Sequence, residues 1–192
     1  MKRIAVFCGG NVDIGAKYIR GAKRFVEALS DANIGIVYGG GNAGIMGAIA
    51  EHMVKLNGDI IGVIPEFLFN REVPHGIKNL HIVNSMEERK RIIFDLADGF
   101  VMLPGGVGTM DEFFEAVTNA QIGLHGKPCG ILNSENYYEQ MILFLEFGIK
   151  EGFIDKESRE RIIITDNPNV LVDKFIHYTA VPADLARWGV LA

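Results

Sequence analysis

Short apolar runs alternate along this chain with stretches whose apolar residues recur every three or four positions. Arg3–Cys8, Gly35–Tyr38, Ile60–Ile64, Leu80–Val83, Gly99–Leu103 and Pro128–Leu132 are runs of strand length, mostly without the polar alternation of a half-exposed strand. Helical spacing fills Ile14–Asp31, the stretch from Gly44 through about Lys55, and the segments that open at Met86 and Thr109. Tyr137–Lys150 and Asn169–Tyr178 continue it toward the end. Strand–helix alternation predicts a three-layer α/β fold, a mainly parallel sheet with helices on both faces. Residues 1–192 read as a single domain, with no internal repeat, low-complexity tract or linker. Pro65–Asn79 is polar and irregular, a long connection of the kind that lines a site.

Two glycine loops follow predicted strands. Leu103-Pro104-Gly105-Gly106-Val107-Gly108-Thr109 leads from an apolar run into a helical pattern in which Phe113, Val117 and Ala120 recur. Strand, glycine loop and helix start together bind anions: glycines let backbone N–H groups approach closely, and the free amides and dipole of the helix favour negative charge. Asp111 and Glu112 add carboxylates to that first turn. The other loop, Gly39-Gly40-Gly41-Asn42-Ala43-Gly44, satisfies G-x-G-x-x-G through Gly39, Gly41 and Gly44. In a parallel α/β sheet, ligands sit beyond the carboxyl ends of strands near the switch in strand order, so both loops are expected to share one cleft.

A third cluster, Ser85-Met86-Glu87-Glu88-Arg89-Lys90-Arg91, opens the helix before Gly99–Leu103. Ser85 and Glu88 fit a capping box. Starting on the rim where the glycine loops lie, this helix can bring Arg89 to a phosphate or a base. The planar guanidinium suits bidentate contacts, whereas Lys90 offers a point charge. Glu112 has two readings. Thr109-x-x-Glu112 is itself a capping pattern, and Glu112 is equally placed to act as a carboxylate beside a bound phosphate.

Composition narrows the function classes. A net charge of −5 argues against a general nucleic-acid surface. No apolar run approaches the ~18 residues that span a bilayer, and Ile4–Cys8 is too short for a signal peptide core. Cys8 and Cys129 lack metal spacing and read as buried thiols, which suits a reducing cytoplasm. His52, His75, His81, His125 and His177 are scattered without ligand spacing, so neither a metal nor another cofactor is assigned. Phe113, Phe114 and Phe144 are candidates to face a partner, although aromatic helix positions more often join a core.

The segments Tyr38–Gly47, Met86–Lys90 and Pro104–Glu112 resemble the LONELY GUY family of cytokinin riboside 5′-monophosphate phosphoribohydrolases, which often carry a lysine decarboxylase label. The likeness continues through Ala120–Gly123, Gly126–Pro128, Asn136–Tyr138 and Glu151–Ile154, in order and across most of the chain. It implies a Rossmann-like fold, a homodimer or larger homo-oligomer, and hydrolysis of a nucleoside 5′-monophosphate to free base and ribose 5-phosphate. By matching position, it implies catalytic roles for Arg89 and Glu112. It implies substrate contacts for Met86, Lys90, Gly105, Gly106, Val107, Gly108, Thr109 and Asp111, for the loop glycines Gly39, Gly40, Gly41 and Gly44, and for Glu72 and Thr118. One departure stands out. Family members usually end the first strand Cys-Gly-Ser-Ser, where this chain has Cys8-Gly9-Gly10-Asn11.

The chemistry also follows from the residues. Breaking a ribosyl–base bond passes through a cationic, oxocarbenium-like sugar, which a carboxylate stabilises while it orients or deprotonates the attacking water. Two other classes stay open at this stage. A non-enzymatic nucleotide or molybdenum-cofactor carrier needs the phosphate loop but no poised acid. A dinucleotide oxidoreductase needs an acidic residue about 20 residues beyond its glycine loop, and Glu66 stands near that position. No lysine lies in a context that marks a pyridoxal phosphate Schiff base.

Overall fold

The computed structural model describes residues 1–69 and 76–183. In chain order its elements are β1 (Arg3–Phe7), α1 (Ala16–Asp31), β2 (Gly35–Tyr38), α2 (Gly44–Lys55), β3 (Ile60–Pro65), the single turn α3 (Glu66–Phe69), β4 (Asn79–Val83), α4 (Met86–Leu96) and β5 (Phe100–Met102). There follow α5 (Val107–Gln121), β6 (Cys129–Leu132), a 3₁₀ turn (Ser134–Asn136), α6 (Glu139–Lys150), α7 (Lys156–Glu160), β7 (Ile162–Thr165) and α8 (Pro168–Ile176). All seven strands lie in one parallel sheet, ordered β4-β3-β2-β1-β5-β6-β7. This is the predicted three-layer α/β architecture.

Each strand of the sheet centre is apolar on both sides because both sides are covered. In β1, Ile4 and Val6 enter the core shared with α1, α2 and α8, while Ala5 and Phe7 enter the opposite core with α4, α5 and α6. Tyr38 and Phe25 fill the first core; Phe100 and Phe113 fill the second. Phe113 is therefore a core residue rather than a partner-facing one, and Phe144 is 65% exposed. Both thiols are buried. No helix among the described residues is long and apolar enough to cross a membrane.

The boundaries depart from the periodicity in informative places. α1 starts at Ala16, two residues later than Ile14, and α5 starts at Val107, two residues before Thr109. The sequence pattern assigns nothing between Lys150 and Asn169, where α7 and β7 form. β7 is an edge strand, mostly half-exposed, and pairs with β6 from Cys129↔Ile162 to Leu132↔Thr165.

Candidate active site

The strand order reverses at the pair β1–β5, although every strand runs the same way. From β1 the chain moves outward to β2, and from β5 it moves the other way to β6. Loops leaving the carboxyl ends of these neighbours therefore diverge, and a crevice opens between them. The cleft there measures about 400 Å³. Cys8, Gly9, Gly10 and Asn11 wall it after β1, Gly39 after β2, and Met86 and Arg89 from α4. Gly106, Val107, Gly108, Thr109, Asp111 and Glu112 close it from α5.

The start of α5 supplies anion-binding groups. Its N-cap is Gly106, which has no side chain to offer, and the first helical backbone bond is Met110 N–H to the Gly106 carbonyl at 3.1 Å. Among the described residues, the amides of Val107, Gly108 and Thr109 find no acceptor. They point out of the helix start at its positive end.

The start of α2 differs. Ile45 and Met46 donate their amides to the Gly9 carbonyl, at 2.9 and 3.3 Å. Backbone from the β1 turn thus fills the helix terminus that the G-x-G-x-x-G spacing reserves for phosphate. Gly41 and Gly44 line a separate hollow between α1 and α2, and Gly40 sits against Ile64. Of this loop only Gly39 borders the cleft.

Arg89 and Glu112 form the buried polar centre, each only 8% exposed. α4 brings Arg89 in. Ser85 caps the helix by accepting the Glu88 amide at 3.1 Å, and the Glu88 carboxylate accepts the Asn84 amide at 2.9 Å. That start turns Arg89 and Ile93, one helical turn apart, onto the buried face. The other arginine of the run, Arg91, makes an exposed i,i+4 pair with Asp95. The Arg89 guanidinium donates through Nη1 to the Glu112 carboxylate, in a short charge-assisted bond, and through Nε to the Val63 carbonyl at 3.2 Å.

Glu112 is thus held by a side chain, not by the Thr109 amide. Thr109 lies inside the helix, so the capping reading of Thr109-x-x-Glu112 does not hold. Burial pushes the Glu112 carboxyl above its ordinary value, and Arg89 offsets this only in part. Burial likewise pushes the Cys8 thiol up, so it stays protonated at the cleft floor.

Lys90 is not among the residues that line the cleft. It donates to Glu115 at 2.5 Å and to Asp111 at 3.3 Å, tying α4 to α5. Gly105 lies behind the loop, against Thr109 and Gly9. Thr118 is farther along α5, its hydroxyl donating to the Phe114 carbonyl at 2.8 Å, and does not reach the cleft. Glu72 lies outside the described residues. Cys8, Gly9, Gly10, Asn11 and Met46 border the cleft without having been singled out as binding residues. The signal for the first four was available, since β1 ends at the switch point.

The sequence profile of the family described as "Possible lysine decarboxylase" matches residues 46–175. A cytokinin riboside 5′-monophosphate phosphoribohydrolase from Rhodococcoides fascians is 39% identical, over 85% of this chain and 83% of its own. One from Arabidopsis thaliana is 38% identical, over 92% of this chain and 84% of its own. The chain belongs to the LONELY GUY family.

Among solved structures, the molybdenum cofactor binding protein of Rippkaea orientalis superposes with a TM-score of 0.70 at 20% identity, covering 92% of this chain and 98% of its own. That likeness is one of fold. The decarboxylase wording in the LONELY GUY profile implies pyridoxal phosphate, which requires a lysine that can lose its proton to form a Schiff base. No lysine is among the described residues that line the cleft, and nearby Lys90 is engaged by Glu115 and Asp111, whose hydrogen bonds raise its pKa despite partial burial. These residues do not fit that cofactor.

Proposed function

We propose that this protein hydrolyses the N-glycosidic bond of nucleoside 5′-monophosphates of the AMP or cytokinin riboside monophosphate type, releasing free base and ribose 5-phosphate. The observation that carries the reading is a buried, ion-paired carboxylate in the lining of a cleft, about one helical turn from a set of free amides. Glu112 follows the amides of Val107–Thr109 by three to five positions, ~4.5–7.5 Å along the helix axis at ~1.5 Å of rise per residue, and lines the same cleft as they do, as a group acting on the sugar of a bound 5′-phosphate must.

In this reading the α5 terminus, with Gly105–Thr109 and Asp111, holds the phosphate end and fixes the ribose, so binding energy away from the reacting bond supplies orientation. Glu112 takes a proton from water as the water oxygen bonds to C1′. The C1′–N bond breaks, its electron pair leaves with the base, the base takes up a proton from solvent, and Glu112 returns its own proton to solvent, so that one water is consumed overall. Burial favours this role, because a carboxylate with a raised pKa accepts a proton more readily. Arg89 fixes the Glu112 carboxylate and keeps it ionised, while Met86 and Gly39 border the space for sugar and base.

A carrier requires the free amides but has no use for a buried, costly Arg–Glu pair. A dinucleotide enzyme requires an open terminus after its G-x-G-x-x-G loop, and α2 has none. We further propose that a single domain carries the activity, in the cytoplasm, as a homodimer. Supporting the dimer is the exposed apolar stripe Leu143, Phe144 and Phe147 on α6.

The test is to incubate purified protein with AMP, N6-isopentenyl-AMP and the matching phosphate-free nucleosides, and to separate the products by chromatography. Free base and ribose 5-phosphate are expected from the monophosphates only. Release of base from nucleosides at the same rate, or from neither, overturns the reading. Light scattering checks the dimer.

A further inference from the structure

The residues that carry the free amides of α5 border the cleft, and the carbonyls of the loop before them are all engaged. Leu103 O accepts the Tyr138 hydroxyl at 2.8 Å, Pro104 O accepts the Gly9 amide at 3.0 Å, and Gly105 O accepts the Tyr137 hydroxyl at 2.9 Å. Every carbonyl from Leu103 to Gly105 is held by a donor.

The Gly105–Gly106 peptide needs such a hold most. A glycine on each side leaves this unit free to rotate into orientations other residues resist. A trans peptide points its C=O and N–H in opposite directions. If this unit turned over, a carbonyl dipole would face the place where Gly106 borders the cleft, and would repel an anion there.

Local structure explains why two adjacent tyrosines reach this loop. Glu135 and Asn136 both adopt positive φ, +58° and +56°, which reverses the chain directly after β6. Asn133 Oδ1 accepts the Tyr138 amide at 2.8 Å and fixes the turn. The Tyr137 ring packs edge-on against Tyr138 at 4.7 Å and against Tyr18 at 5.5 Å. Tyr138 is buried in the core, whereas Tyr137 is 44% exposed and spends its hydroxyl on Gly105 alone among the described residues.

We propose that Tyr137 is a positioning residue for the phosphate end of the substrate, its hydroxyl locking the Gly105–Gly106 peptide with the N–H toward the cleft. This rests on the nucleotide reading above. It assigns Tyr137 a phosphate-specific effect exerted without touching the ligand.

The test is Tyr137→Phe, which removes one oxygen from a half-exposed ring, beside Tyr18→Phe, which removes a hydroxyl that holds no loop carbonyl. Affinities for ribose 5-phosphate, AMP and adenosine are measured by calorimetry under conditions without turnover, with melting temperatures alongside. Tyr137→Phe is expected to bind both phosphorylated ligands about five-fold more weakly, the effect of losing one neutral hydrogen bond, with adenosine affinity unchanged and the melting temperature lowered by only a few degrees. Tyr18→Phe is expected to match wild type in all of these. Unchanged phosphate-ligand affinity in Tyr137→Phe overturns the proposal, and so does an equal loss for adenosine. A wild-type protein that binds AMP but never cleaves it sinks the hydrolase reading, while the same affinities still decide the role of Tyr137.

Discussion

Arg89 occupies the space that a side chain on residue 39 would need. A Cβ built on Gly39 would stand 2.1 Å from Arg89 Nη2, far inside contact distance. The end of β2 is therefore bare so that the guanidinium can lie across it and reach Glu112. Gly39→Ala should push Arg89 aside and misalign the carboxylate. A loss on the order of 10²-fold in kcat/KM is expected, as for a displacement of about 1 Å at a catalytic group, with folding retained by circular dichroism.

Glu112→Gln keeps the shape and the Arg89 contact but removes the proton acceptor. Turnover should fall by ~10²–10⁴-fold, the usual contribution of a positioned base. AMP affinity, read by calorimetry, should stay close to wild type. Full turnover in this variant would remove Glu112 from the chemistry.

The raised pKa of Glu112 sets the pH dependence. The group acts as a base only when ionised, so the rate should decline as pH falls through a value above the ordinary 4.5 of a glutamate. In Arg89→Met the guanidinium no longer opposes burial, and this acid limb should move to higher pH; kcat against pH for both proteins checks it. Stability carries the opposite sign. A carboxyl whose folded pKa is raised contributes fully below its unfolded value and loses that contribution as pH rises through the folded one. Glu112→Gln should therefore show a smaller drop in melting temperature from acid to neutral pH than wild type.

Two glycines of the same loop should respond differently to alanine. At Gly105 the added Cβ meets Thr109 Oγ1 at 2.2 Å and the Gly9 amide nitrogen at 2.8 Å, so backbone must shift. Destabilisation of ~1–3 kcal/mol is expected from such overpacking. At Gly108 the Cβ meets nothing within 4 Å, since the residue faces the open cleft. Gly108→Ala should leave melting unchanged or raise it, because alanine favours helix by up to ~1 kcal/mol. Its methyl group should nonetheless raise KM for the monophosphate.

Local patterning made most of the architecture readable. Continuous apolar runs mark the central strands because both of their faces are covered, and the Ser85–Glu88 cap marks the start of α4. What escaped depends on distant partners. β7 is only Ile162–Thr165 with one face half-solvated, and its identity comes from pairing with β6. Thr109-x-x-Glu112 fits a cap equally well by spacing; Arg89, 23 positions earlier in the chain, decides what Glu112 bonds to. The glycine pattern at 39–44 likewise cannot report that the carbonyl of Gly9, far upstream, fills the α2 terminus. That contact exists only because β1 and β2 are neighbours.

Keeping an ionised pair out of water has a lasting effect on how this molecule can drift. If Arg89 and Glu112 carry the chemistry as proposed, exchanging them together for well-fitted apolar residues should abolish hydrolysis, while such exchanges of buried ion pairs often leave stability unchanged or raise it by about 1–4 kcal/mol. Stability by itself therefore gives no reason to keep this pair of charges; in the proposed reading, the reaction gives one.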